Sequence, residues 1–159
     1  MKRKNILRNS IFIATYTIFS LCNVTNAQTN ARIVADINPG LMDGNFKDPI
    51  VLSNNTTMLF FADDGNSGIE LWKCEQDFVV NLVKDINSGQ AGSYQTSYGV
   101  KGVEINNVMY FMADDGILGR ELWRSDGTTI GTGIVKDINI GPQDGMNPSS
   151  NLNISPTLK

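Results

Sequence analysis

The sequence predicts an all-β protein: tandem four-stranded antiparallel blades of β-propeller type, incomplete, with about two blades behind a leading strand. Three observations predict it. First, whole phrases recur in the same order. Ile33-Val-Ala-Asp-Ile-Asn38 returns as Leu82-Val-Lys-Asp-Ile-Asn87 and as Ile134-Val-Lys-Asp-Ile-Asn139. Phe61-Ala-Asp-Asp-Gly65 returns as Met112-Ala-Asp-Asp-Gly116, and Glu70-Leu-Trp72 as Glu121-Leu-Trp123, both 51 residues on. Second, the apolar runs are short, rich in β-branched and aromatic residues, and bounded by Asn, Asp and Gly, as strands are. Third, no window carries a helical 3.6-residue period. Four strands in a repeat of about 50 residues is the signature of a propeller blade. A β-sandwich built from the same hairpins is the alternative.

The elements follow in chain order. Residues 1–27 read as a secretory signal peptide: Lys2, Arg3, Lys4 and Arg8 precede the apolar stretch Ile11–Cys22, and Ala27 offers a small residue at a cleavage site. The stretch falls short of the roughly 20 apolar residues of a membrane span, so no membrane insertion is expected once it is removed. A leading strand over 31–37 matches the fourth strand of the later units. Repeat 1, about 38–86, reads as strands Pro49–Ser53, Met58–Ala62, Ile69–Cys74 and Phe78–Ile86. Asn54-Asn55 suits a turn of positive φ, and Asp63 to Gly68 forms a second turn. Repeat 2, about 87–138, copies this plan, with Asn106-Asn107 in the matching turn. The polar, Pro-interrupted segment 146–159 is expected to be a poorly ordered tail.

Composition excludes whole classes of function. The chain has no His, which removes Ser-His-Asp and Cys-His catalysis and the commonest zinc ligand. Beyond residue 27 there remain nine bases and sixteen acids, a net charge of about −7, which disfavours nucleic acid and anionic membranes as partners. Cys22 leaves with the signal and Cys74 stands by itself, so no disulfide framework is expected.

The run Glu121-Leu-Trp-Arg-Ser-Asp-Gly-Thr128, continuing through Ile134 to Ile138, resembles the ELWxxDGT repeat family over about residues 31–147. The motif residues are Glu121, Leu122, Trp123, Asp126, Gly127 and Thr128 in repeat 2, and Glu70, Leu71 and Trp72 in repeat 1. Repeat 1 departs after Trp72, where Lys-Cys-Glu-Gln-Asp77 stands in place of the family's x-x-Asp-Gly-Thr. The resemblance implies an exported bacterial protein of propeller-like β structure. It carries over no catalytic residue.

The acidic turns are the most chemical feature. Asp63 and Asp64, and Asp114 and Asp115, pair carboxylates that could ligate calcium or serve as acid and base on a glycoside. Asp36 with Asp43, and Asp137 with Asp144, share a spacing like the opening of a calcium loop, but without its closing Glu. Recurrence in every unit favours the simpler reading: Asp caps the turn through backbone hydrogen bonds and Gly supplies positive φ. Calcium is therefore the one cofactor considered, and none is expected. Trp72 and Trp123 read as core between blades, with Glu70 and Glu121 bonding a neighbouring blade's turn.

The function expected is that of an exported, non-catalytic β-repeat protein, secreted or at the cell surface, that binds glycan or extracellular protein. A fragment of a propeller-type polysaccharide hydrolase and a remnant with no independent function are the alternatives. Two blades are too few to close a ring of about four to eight. A piece of a longer protein, a ring of several copies, or self-association through unpaired sheet edges would each resolve that shortage.

Overall fold

The computed structural model describes residues 33–94 and 102–146. The signal peptide, the first two residues of the leading strand and the tail beyond residue 146 lie outside them. The described residues form two four-stranded antiparallel sheets and no helix. Sheet 1 is β1 (Lys47–Val51), β2 (Thr57–Asp63), β3 (Ile69–Glu75) and β4 (Val80–Lys84). Sheet 2 is β5 (Val103–Ile105), β6 (Val108–Asp114), β7 (Arg120–Ser125) and β8 (Gly133–Lys136). In each sheet the strands lie in chain order, the arrangement successive short hairpins impose. The all-β class and the strand plan of both repeats stand; the sheets do not close on themselves.

The turns form where expected. Asn55, Asn106 and Asn107 take positive φ, a conformation Asn tolerates. Asn54 Oδ1 accepts the amides of Thr56 (3.0 Å) and Thr57 (3.2 Å). One feature of both sheets escapes strand periodicity. The register slips between Leu71 and Trp72 on β3 and, 51 residues on, between Leu122 and Trp123 on β7. Each slip leaves one extra residue in the last strand, Val83 and Val135 respectively, and a bulge of this kind re-aims a side chain.

The sheets stack through one core. Leu52, Leu59, Phe61, Leu71, Val83 and Ile86 of sheet 1 and its connector meet Met109, Phe111, Ala113 and Trp123 of sheet 2. Phe61 and Phe111 meet edge to face at 5.5 Å, and Tyr94 stacks on Phe61 at 4.4 Å, both favoured aromatic geometries. The bulge contributes directly: Val83 packs into the core while its carbonyl accepts Thr129 Oγ1 at 2.8 Å. Lys84 Nζ donates to the carbonyl of Thr132 at 2.9 Å and lies 5.7 Å from the Trp123 ring.

Behind sheet 1 lies a second cluster: Phe60, Ala62 and Cys74, with Met58, Trp72 and Val80 and, from the preceding chain, Val34, Ile37 and Phe46. Here one expectation is corrected. Residues 33–37 are not a strand but irregular chain. A strand is held by ladder hydrogen bonds to a neighbour, and among the described residues no strand lies beside them. Their apolar side chains are placed by packing instead.

Candidate functional site

The motif of repeat 2 resolves into four jobs. Glu121 and Trp123 alternate with Leu122 along β7, so the first two face sheet 1 and Leu122 faces away. The wholly buried Glu121 carboxylate accepts the amides of Ile138 and Gly145, both at 2.9 Å. Trp123 is inter-sheet core. Ser125 Oγ bonds Thr132 Oγ1 at 2.7 Å and accepts the Gly127 amide at 3.1 Å. Asp126 Oδ1 accepts both the amide and the hydroxyl of Thr128, and Thr128 Oγ1 in turn accepts the Gly131 amide at 2.9 Å. The Thr128 hydroxyl beside Asp126 is the main cause holding its carboxyl below the usual range. Gly127, at φ 87°, lies against Thr57, Leu59 and Leu52. The Asp-Gly-Thr turn is thus the piece of sheet 2 that grips sheet 1.

Repeat 1 departs from the motif at this grip. Cys74 stands where Ser125 does, and the turn closes through Phe78 (φ 63°), whose amide donates to the Glu75 carbonyl at 2.9 Å. Glu70 keeps its role: wholly buried, it accepts the amides of Ile86 (3.0 Å) and Asn87 (3.1 Å) and the hydroxyl of Ser93 (2.6 Å). Burial pushes its carboxyl up despite these donors. Both glutamates therefore clamp the connector leaving their own sheet, and not a neighbouring sheet's turn. The expected partner was wrong because the connector folds back over β3. Leu71 is inter-sheet core, and Trp72 packs behind sheet 1 with Nε1 donating to the Ala62 carbonyl at 3.1 Å.

The β2–β3 and β6–β7 turns lie at the same end of the stack as the connectors. Asn38 approaches Gly65, and Asn87 approaches Gly116 in the same way. Asp63 Oδ1 accepts the Gly65 amide (2.7 Å) and Asp114 Oδ1 the Gly116 amide (2.8 Å). Asp64 Oδ1 takes the amides of Asn66 and Ser67, and Asp115 Oδ1 those of Ile117 and Leu118. These are capped turns. Asp144 pairs with Arg120, accepting its amide at 2.9 Å and its Nε at 3.2 Å. Asp36 and Asp43 are exposed, and Asp137 is half-buried. Among the described residues no three acidic or cysteine side chains gather as a metal site would require.

What this end offers to solvent is acidic and aliphatic. Leu41 and Met42 on the first connector, Ile117 on the β6–β7 turn and Ile140 on the last connector are largely exposed. Sequence reasoning passed over all four, because they sit outside the repeated phrases. Their one signal is a large apolar residue inside a Gly-rich connector. Comparison with known proteins finds no match: no family model, no curated protein and no solved structure is similar to this chain.

Proposed function

We propose that the chain is an exported, non-catalytic β-repeat module of propeller type, secreted or displayed at the cell surface, that binds a partner through its turn-and-connector end. The observation that carries this reading is the set of exposed aliphatic side chains, Leu41, Met42, Ile117 and Ile140, on loops at one end of the stack. Loops on a rigid scaffold are where binding residues collect. The carboxylates of the turns support the non-catalytic reading, since one oxygen of each, Oδ1, is engaged in holding backbone amides.

The partner that fits is a protein with an apolar, basic surface. Glycan recognition leans on exposed aromatic faces, and both Trp side chains are packed against sheets. Aliphatic loop tips among acids suit a protein surface better. Captured partners from the extracellular fraction, tested beside a glycan array, decide it. Leu41→Ser with Met42→Ser is expected to weaken protein capture at least about tenfold and leave the melting temperature unchanged. Capture that ignores both substitutions, or binding confined to glycans, overturns the reading.

A further inference from the structure

Segment 33–44 sits on sheet 1 as segment 82–93 sits on sheet 2. Three contacts repeat. Val34 and Ile37 pack behind sheet 1 where their repeat counterparts Val83 and Ile86 pack against sheet 2. Asn38 Oδ1 lies 2.9 Å from a β-carbon built on Gly65, and Asn87 Oδ1 lies 2.7 Å from one built on Gly116. The Asp63 amide donates to the Gly44 carbonyl at 2.8 Å, and the Asp114 amide to the Ser93 carbonyl at 3.0 Å. Residues 33–44 therefore occupy the place of the last strand and connector of a preceding sheet.

The other end of the stack shows the reverse. Sheet 2 turns away from sheet 1 a face that copies the one by which sheet 1 receives it. Leu59, Phe61 and Leu71, all buried, correspond to Tyr110, Met112 and Leu122, none of which is fully buried. Val83 is 3% exposed and Val135 45%; Ile86 is 7% exposed and Ile138 49%. Val103 and Ile105 extend this open face along β5, opposite Tyr110 and Val108.

The segment bound behind sheet 1 and the last strand of sheet 2 are nearly the same sequence. Ile33-Val-Ala-Asp-Ile-Asn38 and Ile134-Val-Lys-Asp-Ile-Asn139 differ at one residue, Ala35 against Lys136. A second copy of the chain can thus present to the back of sheet 1 the contacts that residues 33–44 already make there, with the open face of its sheet 2 behind them. We propose that residues 33–44 are an intramolecular plug on a head-to-tail self-association site, in which the open face and last strand of sheet 2 of one copy seat on the back of sheet 1 of the next. Such an interface is heterologous and continues the one between the sheets within the chain. Tethering gives the plug a high effective concentration. Sheet 1 lacks the Asp-Gly-Thr grip that sheet 2 uses, which weakens the competing copy. Both effects keep the plugged chain monomeric.

Sizing by sedimentation on the purified mature chain tests this. Wild type stays monomeric across micromolar concentrations. Val34→Asp with Ile37→Asp loosens the plug, and the mean mass then climbs with concentration past that of a dimer. Adding Leu122→Arg on the open face returns the variant to monomer. Mixing that triple variant with wild type is expected to yield a one-to-one heterodimer, because the wild type, though plugged, still offers its open face to the triple variant's exposed back; absence of the heterodimer overturns the proposal. A folded double variant that stays monomeric, association that survives Leu122→Arg, or a wild type already oligomeric also overturns it. Should the double variant lose its β-sheet circular dichroism, Val34→Ala replaces it in the mixing experiment. It is expected to tighten the heterodimer about tenfold over the Val34 parent, and an unchanged affinity overturns the proposal.

Discussion

Among the described residues, sheet 1 is covered on both faces and sheet 2 on one. The two are copies 51 residues apart, with the same strand order, the same bulge and the same buried Glu clamp. Their differences follow from what each has to touch. Sheet 2 keeps Ser125, Asp126, Gly127 and Thr128 because that turn rests on Leu52, Leu59 and Thr57 of sheet 1. Among the described residues sheet 1 has behind it not a sheet but the segment containing Val34, Ile37 and Phe46, and its own β3–β4 turn lacks Asp-Gly-Thr. The comparison teaches that the stretch Glu121 to Thr128 of this chain holds two devices. Glu-Leu-Trp builds the sheet and clamps its exit, and Asp-Gly-Thr docks it onto the previous one.

The largest effect should come from breaking the equivalence of the two outward faces. Phe61→Ala removes a buried ring from between Phe111 and Tyr94 and should cost about 3–5 kcal/mol of unfolding free energy. Met112→Ala, at the matching place on the open face, should cost under about 1 kcal/mol, because that side chain has less burial to lose. Urea denaturation of both variants checks the pair. Equal losses would mean that sheet 2 is covered in solution.

Much of this fold could be read from the residues. The repeat located the strands, and Asn55, Asn106, Gly65 and Gly116 announced turns whose φ is positive. The paired Asp residues were legible as caps because each of them recurs, and they do hold backbone amides. What could not be read lies where two segments meet. The bulge that turns Val83 into the core leaves no mark on an alternating pattern, since it shifts register by one residue. The partner of Glu70 lies 16 to 23 residues further on, in a connector without regular structure. Residues 33–37 carried a strand's composition, but a strand also needs a neighbour, and composition does not report one. The exposed Leu41, Met42, Ile117 and Ile140 fall outside the recurring phrases, so self-comparison could not point to them.

A smaller effect separates the two β3–β4-type turns. Gly127 holds φ 87°, and a β-carbon there would lie 3.3 Å from Thr57 Cγ2. Gly127→Ala should cost about 1–2 kcal/mol, from the left-handed backbone and the tightened contact together. Its readout is a lower melting temperature, with the near-ultraviolet signal of Trp123 altered as sheet 2 lifts from sheet 1. Gln76→Ala, in the exposed turn of sheet 1, is the control and should change neither. A Gly127→Ala chain as stable as its parent would detach the Asp-Gly-Thr turn from docking.

The smallest effect is electrostatic and runs in opposite directions in the two repeats. The Arg120 side chain beside Asp144 holds that carboxyl below its ordinary value of 3.8. A depressed folded value means the pair stabilises above about 3.8 and that this contribution is lost as pH falls through the folded value. Glu70 is the reverse, because burial raises it above its ordinary 4.5. Between 4.5 and its folded value the native state binds more protons than the unfolded chain, so its contribution to stability falls as pH rises through that window. Asp144→Asn should therefore flatten the acid limb of a stability–pH curve and cost under about 1 kcal/mol at neutral pH, as exposed ion pairs do. Glu70→Gln should flatten the limb above 4.5 and leave the acid limb in place. Its carboxamide keeps one acceptor oxygen for amides that need two, so this variant also loses stability at every pH, and the slope of the curve, not its height, is the diagnostic. If Glu70→Gln leaves the slope above 4.5 as it was, the connector clamp titrates with its solvent and is not buried as a charge.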